Sequence, residues 1–123
     1  KECRLTGVRD LRFLRASHIK PWAACETGDE RTDGYNGLLL TPTADHLFDR
    51  GWMSFSDDGK LLLSSDLPSE IAQRIRLDLE PGRACGPFSA KHQPYLKHHR
   101  DRTFQKACLE RRDASNDLRK VLA

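Results

Sequence analysis

Apolar and polar positions fall into short blocks along this chain, and each block has its own period. The run LRFLRASHI, residues 11–19, sets Leu11, Phe13 and Leu14 ahead of a polar end at Ser17 and His18 and predicts a strand. Pro21 and Trp22 end it, and CETGDERTDGY, residues 25–35, reads as a polar, glycine-containing loop. NGLLLT, residues 36–41, predicts a second, short and buried strand. The helix signal that follows is sharper. Thr41 suits an N-cap, Pro42 the first helical position and Gly51 the position just past the end. At 100° per residue Ala44, Leu47 and Phe48 share a face that must be buried, Asp45 and Asp49 share its flank, and His46 points away from the core. The unit is strand, long loop, strand, helix.

Beyond it, WMSFSDDGKLLLSS predicts a hairpin closed by Asp58-Gly59 as a two-residue turn. LPSEIAQRIRLDL contains a short helix after Pro68, and residues 80–94 read as loop. From Pro94, the positions Tyr95, Leu96, His99, Phe104 and Cys108 recur loosely at helical spacing and predict a helix with a basic exposed side, its tail fraying from Asp113. The two tryptophans, Trp22 and Trp52, are expected in core or hairpin packing rather than as base-stacking platforms.

Composition narrows the class. A chain of 123 residues fits one domain with one modest core. No apolar run approaches the roughly 20 residues that span a bilayer, and no signal peptide opens the chain, so a cytoplasmic protein without a membrane is expected. The opening KECRLTG is strand-like and lacks an initiator Met, which suggests a fragment of a larger multidomain protein. Cys3, Cys25, Cys85 and Cys108 form no CxxC pair, which argues against a zinc knuckle and for free thiols, with Cys3 and Cys108 as small core residues. The net charge is only +3, yet Lys1, Arg4, Arg9, Arg12, Arg15 and Lys20 crowd residues 1–22, and seven more Lys and Arg residues crowd residues 91–112. Two basic ends around a more acidic centre suit a phosphate backbone lying across a metal site; they are equally readable as solvated faces.

Strand and helix together gather polar residues: His18 ends the first strand, Asn36 opens the second, and Asp45 and Asp49 follow Asn36 by nine and thirteen residues. With LRASHIKPW, then NGLLL, then DHLFDRG and a hairpin bearing a DDG turn, this resembles the HNH endonuclease family, in particular its bacterial restriction-type branch; YLKHHRDRTF is similar to that branch's downstream helix. The resemblance implies an α+β fold, a ββα-metal (His-Me finger) core over about residues 11–51 with an added hairpin and carboxy-terminal helices, in a single domain spanning 1–123. It implies a metal-dependent DNA endonuclease serving restriction or antiviral defence. Its catalytic residues would be His18, the general base, and Asn36, which holds the loop and the base in place. Its metal ligands would be Asp45, Asp49 and, in a slot often filled by His or an acid, Ser17. Carboxylate oxygens favour Mg²⁺ or Mn²⁺ over Zn²⁺ or Ni²⁺.

Arg15, Lys20, Arg50, His99 and Arg100 are the expected nucleic-acid contacts, with His92 and His98 on the same basic side. No helix is set with Arg, Asn and Gln for reading base edges, so contacts to the backbone of double-stranded DNA would dominate. Target choice would then fall to a fused recognition or sensor domain, with a homodimer left open. Two rivals stand beside this reading: a DNA-binding module that keeps the HNH fold but cleaves weakly or not at all, and a protein-interaction domain without a nucleic-acid ligand.

Overall fold

In the computed structural model, which describes residues 1–104, two four-residue strands find each other across the long loop. β1 (Arg15–His18) and β2 (Gly37–Leu40) pair antiparallel, Arg15 opposite Leu40 and His18 opposite Gly37. The loop between them holds α1 (Gly28–Thr32), started by Thr27, whose hydroxyl accepts the Glu30 N–H at 3.1 Å, flanked by single 3₁₀ turns at Trp22–Ala24 and Gly34–Asn36. α2 (Pro42–Asp49) leaves β2 at once and packs back on both strands. The architecture is α+β, and its first half is a ββα unit.

α2 forms as its pattern predicts. Ala44, Leu47 and Phe48 are buried, His46 is exposed, and Gly51 turns the chain at φ +74°. Thr41 occupies the N-cap position but its side chain does not cap, because the Cys3 thiol engages it: Cys3 Sγ lies 3.9 Å from Thr41 Oγ1 and accepts the Thr41 N–H at 3.3 Å.

β1 is shorter than its apolar run suggests. Asp10 Oδ1 accepts the Arg12 N–H at 3.0 Å and its carboxylate also pairs with the Arg12 guanidinium, nucleating a 3₁₀ turn at Leu11–Phe13. This local side-chain bond competes with extension, and β2 offers only four residues to pair with. Leu11 and Phe13 therefore stand 62% and 59% exposed, and only Leu14 of the three packs against the core. The amino-terminal KECRLTG turns as well: Cys3 O accepts the Gly7 N–H at 2.9 Å and Cys3 N–H donates to Val8 O at 2.8 Å.

β3 (Met53–Phe55) and β4 (Leu61–Leu63) form the expected hairpin, Phe55 opposite Leu61, but five residues separate them, three of them inside the Ser56–Lys60 pair. Ser56 N–H donates to Lys60 O at 3.0 Å, Gly59 N–H donates to Ser56 O at 2.9 Å, and Gly59 sits at φ +82°. This is a type I turn followed by a left-handed glycine rather than a two-residue turn. A Cβ at Gly59 would lie 1.7 Å from Gly86 O, because residues 82–88 run against the hairpin. α3 (Ser69–Ile75) follows Pro68 as predicted, and α4 (Gln93–His98) continues as a π-helical stretch, His99–Phe104. Cys108 and the tail from Asp113 lie outside the described residues. One core joins Leu40, Ala44, Leu47 and Phe48 of the ββα unit to Met53, Phe55, Leu61 and Leu96, with Cys3 and Leu5 beneath.

His99 belongs to that core, which corrects its assignment as a nucleic-acid contact. It is 1% exposed, and its ring stacks on Phe48 with centroids 3.7 Å apart. Nε2–H donates to Phe48 O at 2.8 Å, and Nδ1 accepts the Ser54 hydroxyl at 2.7 Å, so both nitrogens are satisfied in the neutral form. Burial holds the ring down at about 4. Its neighbour Arg100 is likewise drawn inward: its guanidinium donates to Phe55 O at 3.0 Å and pairs with Asp57 at 3.0 Å, bracing the hairpin.

The His99 ring titrates near 4 when folded and near 6.5 when unfolded, so the native state binds fewer protons between those values. Its contribution is complete above pH 6.5 and is lost as the pH falls toward 4, about 3 kcal/mol in total. Urea unfolding of the native chain should show this steep loss. A His99→Gln chain, less stable at pH 7, should show a shallower slope over the same window; equal slopes would exclude His99 as the source.

Candidate active site

The loop between β1 and β2 is built around one side chain. Asn36 is fully buried. Its Oδ1 accepts the Lys20 N–H at 2.7 Å, and its Nδ2 donates to Glu30 O at 3.1 Å and Lys20 O at 3.3 Å, with Cys25 Sγ 3.5 Å away. The carboxamide thus fastens the exit of β1 to α1 and has no group left over for a ligand. Glu30 reinforces the tie. Its carboxylate accepts the Glu26 N–H at 2.9 Å and pairs with Lys20 at 3.0 Å, and these two partners hold it below the usual carboxylate range. Asp33, three residues before Asn36, accepts the Tyr95 hydroxyl at 2.7 Å. That bond pushes the Tyr95 phenol up to about 12 and anchors the loop to α4.

His18 profits from this bracing. Its Nε2 lies 2.9 Å from Arg31 O, and a carbonyl only accepts, so Nε2 carries a proton and Nδ1 is the nitrogen that bears the lone pair in the neutral ring. The ring also stands perpendicular to Trp22, centroids 5.7 Å apart. Next to it in sequence, Ser17 is buried and its hydroxyl donates to Asp45 of α2 in a short contact. β1 therefore hands Ser17 to the helix and His18 to the loop.

Asp49 lies one turn beyond Asp45, exposed at the end of α2, and residues four apart share a helix face. No cluster of three or more His, Cys, Asp or Glu side chains is gathered among the described residues. The donors expected from the sequence, Ser17, Asp45 and Asp49, would be two carboxylates and a hydroxyl, hard oxygens of the kind that suit a hard divalent cation. His46, between the two acids, is exposed.

The cations expected at DNA divide. Arg15 is exposed and has no ion-pair partner among the described residues, and Arg50 is exposed at the end of α2. Lys20, with 14% of its side chain exposed, pairs with Glu30 at 3.0 Å. His98 is half-buried and His92 bonds Ser89. The expectation for Trp22 also fails: it is 58% exposed, with the Arg31 guanidinium 4.9 Å above its ring, while Trp52 packs on the core. Sequence reasoning missed Arg31, which serves through its backbone carbonyl and leaves no residue-type signal. It missed Glu30 as well, an acid whose partner lies ten residues away.

Comparison with curated proteins finds no match. Among the described residues no helix is long and apolar enough to cross a membrane. The HNH endonuclease family model matches residues 3–56, from the amino-terminal turn through the ββα unit to β3. Nucleases of this family act on DNA and generally use a divalent metal. Ser17, His18, Asn36, Asp45 and Asp49 all lie within the matched segment, so the comparison supports an HNH endonuclease-type ββα unit over residues 3–56.

Proposed function

We propose that this chain is a metal-dependent DNA endonuclease that hydrolyses phosphodiester bonds. The observation that carries the reading is the His18 Nε2–H hydrogen bond to the Arg31 carbonyl, which leaves Nδ1 as the nitrogen able to act as base, one residue from the meeting of Ser17 with Asp45. In this reading Asp45, Asp49 and Ser17 hold one divalent cation, Mg²⁺ or Mn²⁺. When bound there, such an ion supplies charge neutralisation at the phosphate and at the leaving oxygen. His18 Nδ1 takes the proton of the attacking water. The Arg31 carbonyl keeps Nε2 protonated throughout and stabilises the imidazolium that results. Asn36 acts at one remove, by holding the carbonyl of the preceding residue, Glu30.

Arg15 and Arg50 are the proposed phosphate contacts. Interactions with the backbone of double-stranded DNA then dominate affinity, and target choice falls to a fused domain. The restriction-type motifs ASHIKPW, NGLLL and DHLFDRG support a place in bacterial defence, in the cytoplasm. The rival, DNA binding without efficient cleavage, draws support from the lean donor set, with a hydroxyl where a stronger ligand could stand.

Incubation of the chain with supercoiled plasmid and Mg²⁺ or Mn²⁺ separates the two. Nicking is expected, and His18→Ala should reduce its rate by about 10²–10⁴-fold, the usual worth of a general base. Absence of nicking with both ions, or an undiminished rate in His18→Ala, would leave the binding module as the better reading. For the metal, calorimetric titration with Mn²⁺ should show Asp45→Ala and Asp49→Ala each weakening binding roughly tenfold or more, since even outer partners of a site cost that much. His46→Ala should bind as the native chain does. A large loss from His46→Ala alone would overturn the ligand assignment.

A further inference from the structure

We infer that Trp22 is a stacking platform for an unpaired nucleobase of the DNA strand at the active site. Resting on the nuclease reading above, the inference names the substrate class: DNA with a base out of the stack beside the scissile phosphate. Three observations point the same way. The indole is the largest side chain on the loop next to His18, yet it is 58% exposed while neighbouring Cys25 and Asn36 are buried. It is held in that position: Trp22 opens a 3₁₀ turn behind Pro21, and its carbonyl accepts the Cys25 N–H at 3.2 Å. It also stands 5.7 Å from the His18 ring, so a base resting on it belongs to a nucleotide at the reacting phosphate.

The Arg31 guanidinium completes the arrangement. It lies 4.9 Å over the indole, donates to Cys25 O at 3.4 Å, and its buried Nε has no hydrogen-bond partner. A cation over the ring orients the indole and still leaves most of the residue open. In an intact duplex the faces of the bases are occupied by one another, so an aromatic platform gains a partner only from a base that is unpaired or extruded. Backbone contacts through Arg15 and Arg50 carry no such requirement.

The test uses Trp22 as its own reporter. In a Trp52→Phe chain Trp22 is the sole tryptophan. With EDTA present, so that no cleavage takes place, single-stranded oligothymidine should quench its emission strongly. A hairpin duplex of equal charge, and an oligonucleotide of the same length made of abasic sites, should leave the emission nearly unchanged. Fluorescence anisotropy should show Trp22→Ala weakening the single strand about tenfold, within the usual worth of one stacked base, and Trp22→Phe recovering to within about threefold of the native chain. A duplex carrying a one-base bulge should behave as the single strand does if one extruded base suffices. Failure of quenching, or equal affinity for thymidine and abasic strands, overturns the inference; if Trp22→Ala proves unfolded by circular dichroism, the quenching arm decides. Plasmid nicking by the Trp52→Phe chain, run in parallel, keeps the two readings apart. Nicking without quenching rejects the platform alone, whereas quenching without nicking rejects the nuclease and leaves the platform standing.

Discussion

A buried carboxamide must find partners for its donors and its acceptor, and at Asn36 those partners are the backbone groups of Lys20, just past β1, and of Glu30 in α1. Taking such a group out of water without bonds costs several kcal/mol, and making the bonds restores most of it. The loop conformation that satisfies Asn36 is thus selected against every conformation that does not. That same conformation brings the Arg31 carbonyl to His18, because Arg31 follows the residue whose carbonyl Asn36 holds. The protonation geometry of the proposed base is in this sense a by-product of solvation.

A parallel economy governs the charges. Of the cations gathered near the amino terminus, Lys20 is spent on Glu30 inside the loop, and Arg4 lies 4.0 Å over the Phe88 ring and donates to Gly86 O at 2.9 Å. Toward the other end, Arg100 holds the hairpin. The basic ends seen in the sequence are therefore partly scaffolding, and the charge left at the surface for a polyanion is smaller than residue counting implies. Charge that is paired internally gives little of the salt-sensitive attraction on which nucleic-acid binding rests.

How much of this was legible in the sequence depends on the range of the interaction concerned. α2 was legible because its cap position, proline, apolar period and closing glycine agree, and the placement of Ala44, Leu47, Phe48 and His46 followed from helix phase alone. The spacing from Asn36 to Asp45 and Asp49 carried the family. β1 was overextended because Leu11 and Phe13 alternate like strand residues, while the Asp10 side chain bonds locally and bends them out. His99 and Trp22 were misjudged in opposite directions. A histidine among basic residues gives no sign that Phe48 will stack on it, and a tryptophan after a proline gives no sign that it will stay in water. Arg31 was invisible, since its contribution is a carbonyl that every residue owns.

The family match ends at residue 56, but the supports of the site do not. Tyr95 holds the loop at Asp33, and His99 holds the last turn of α2 at Phe48, next to Asp49. Two residues four apart in the carboxy-terminal half thus clamp the two arms of the ββα unit from behind. A graft of residues 3–56 onto another protein would carry every proposed ligand and the base, and would arrive without either clamp. The portable piece of this fold is larger than its matched segment, and its boundary is set by what braces the proposed site rather than by what forms it.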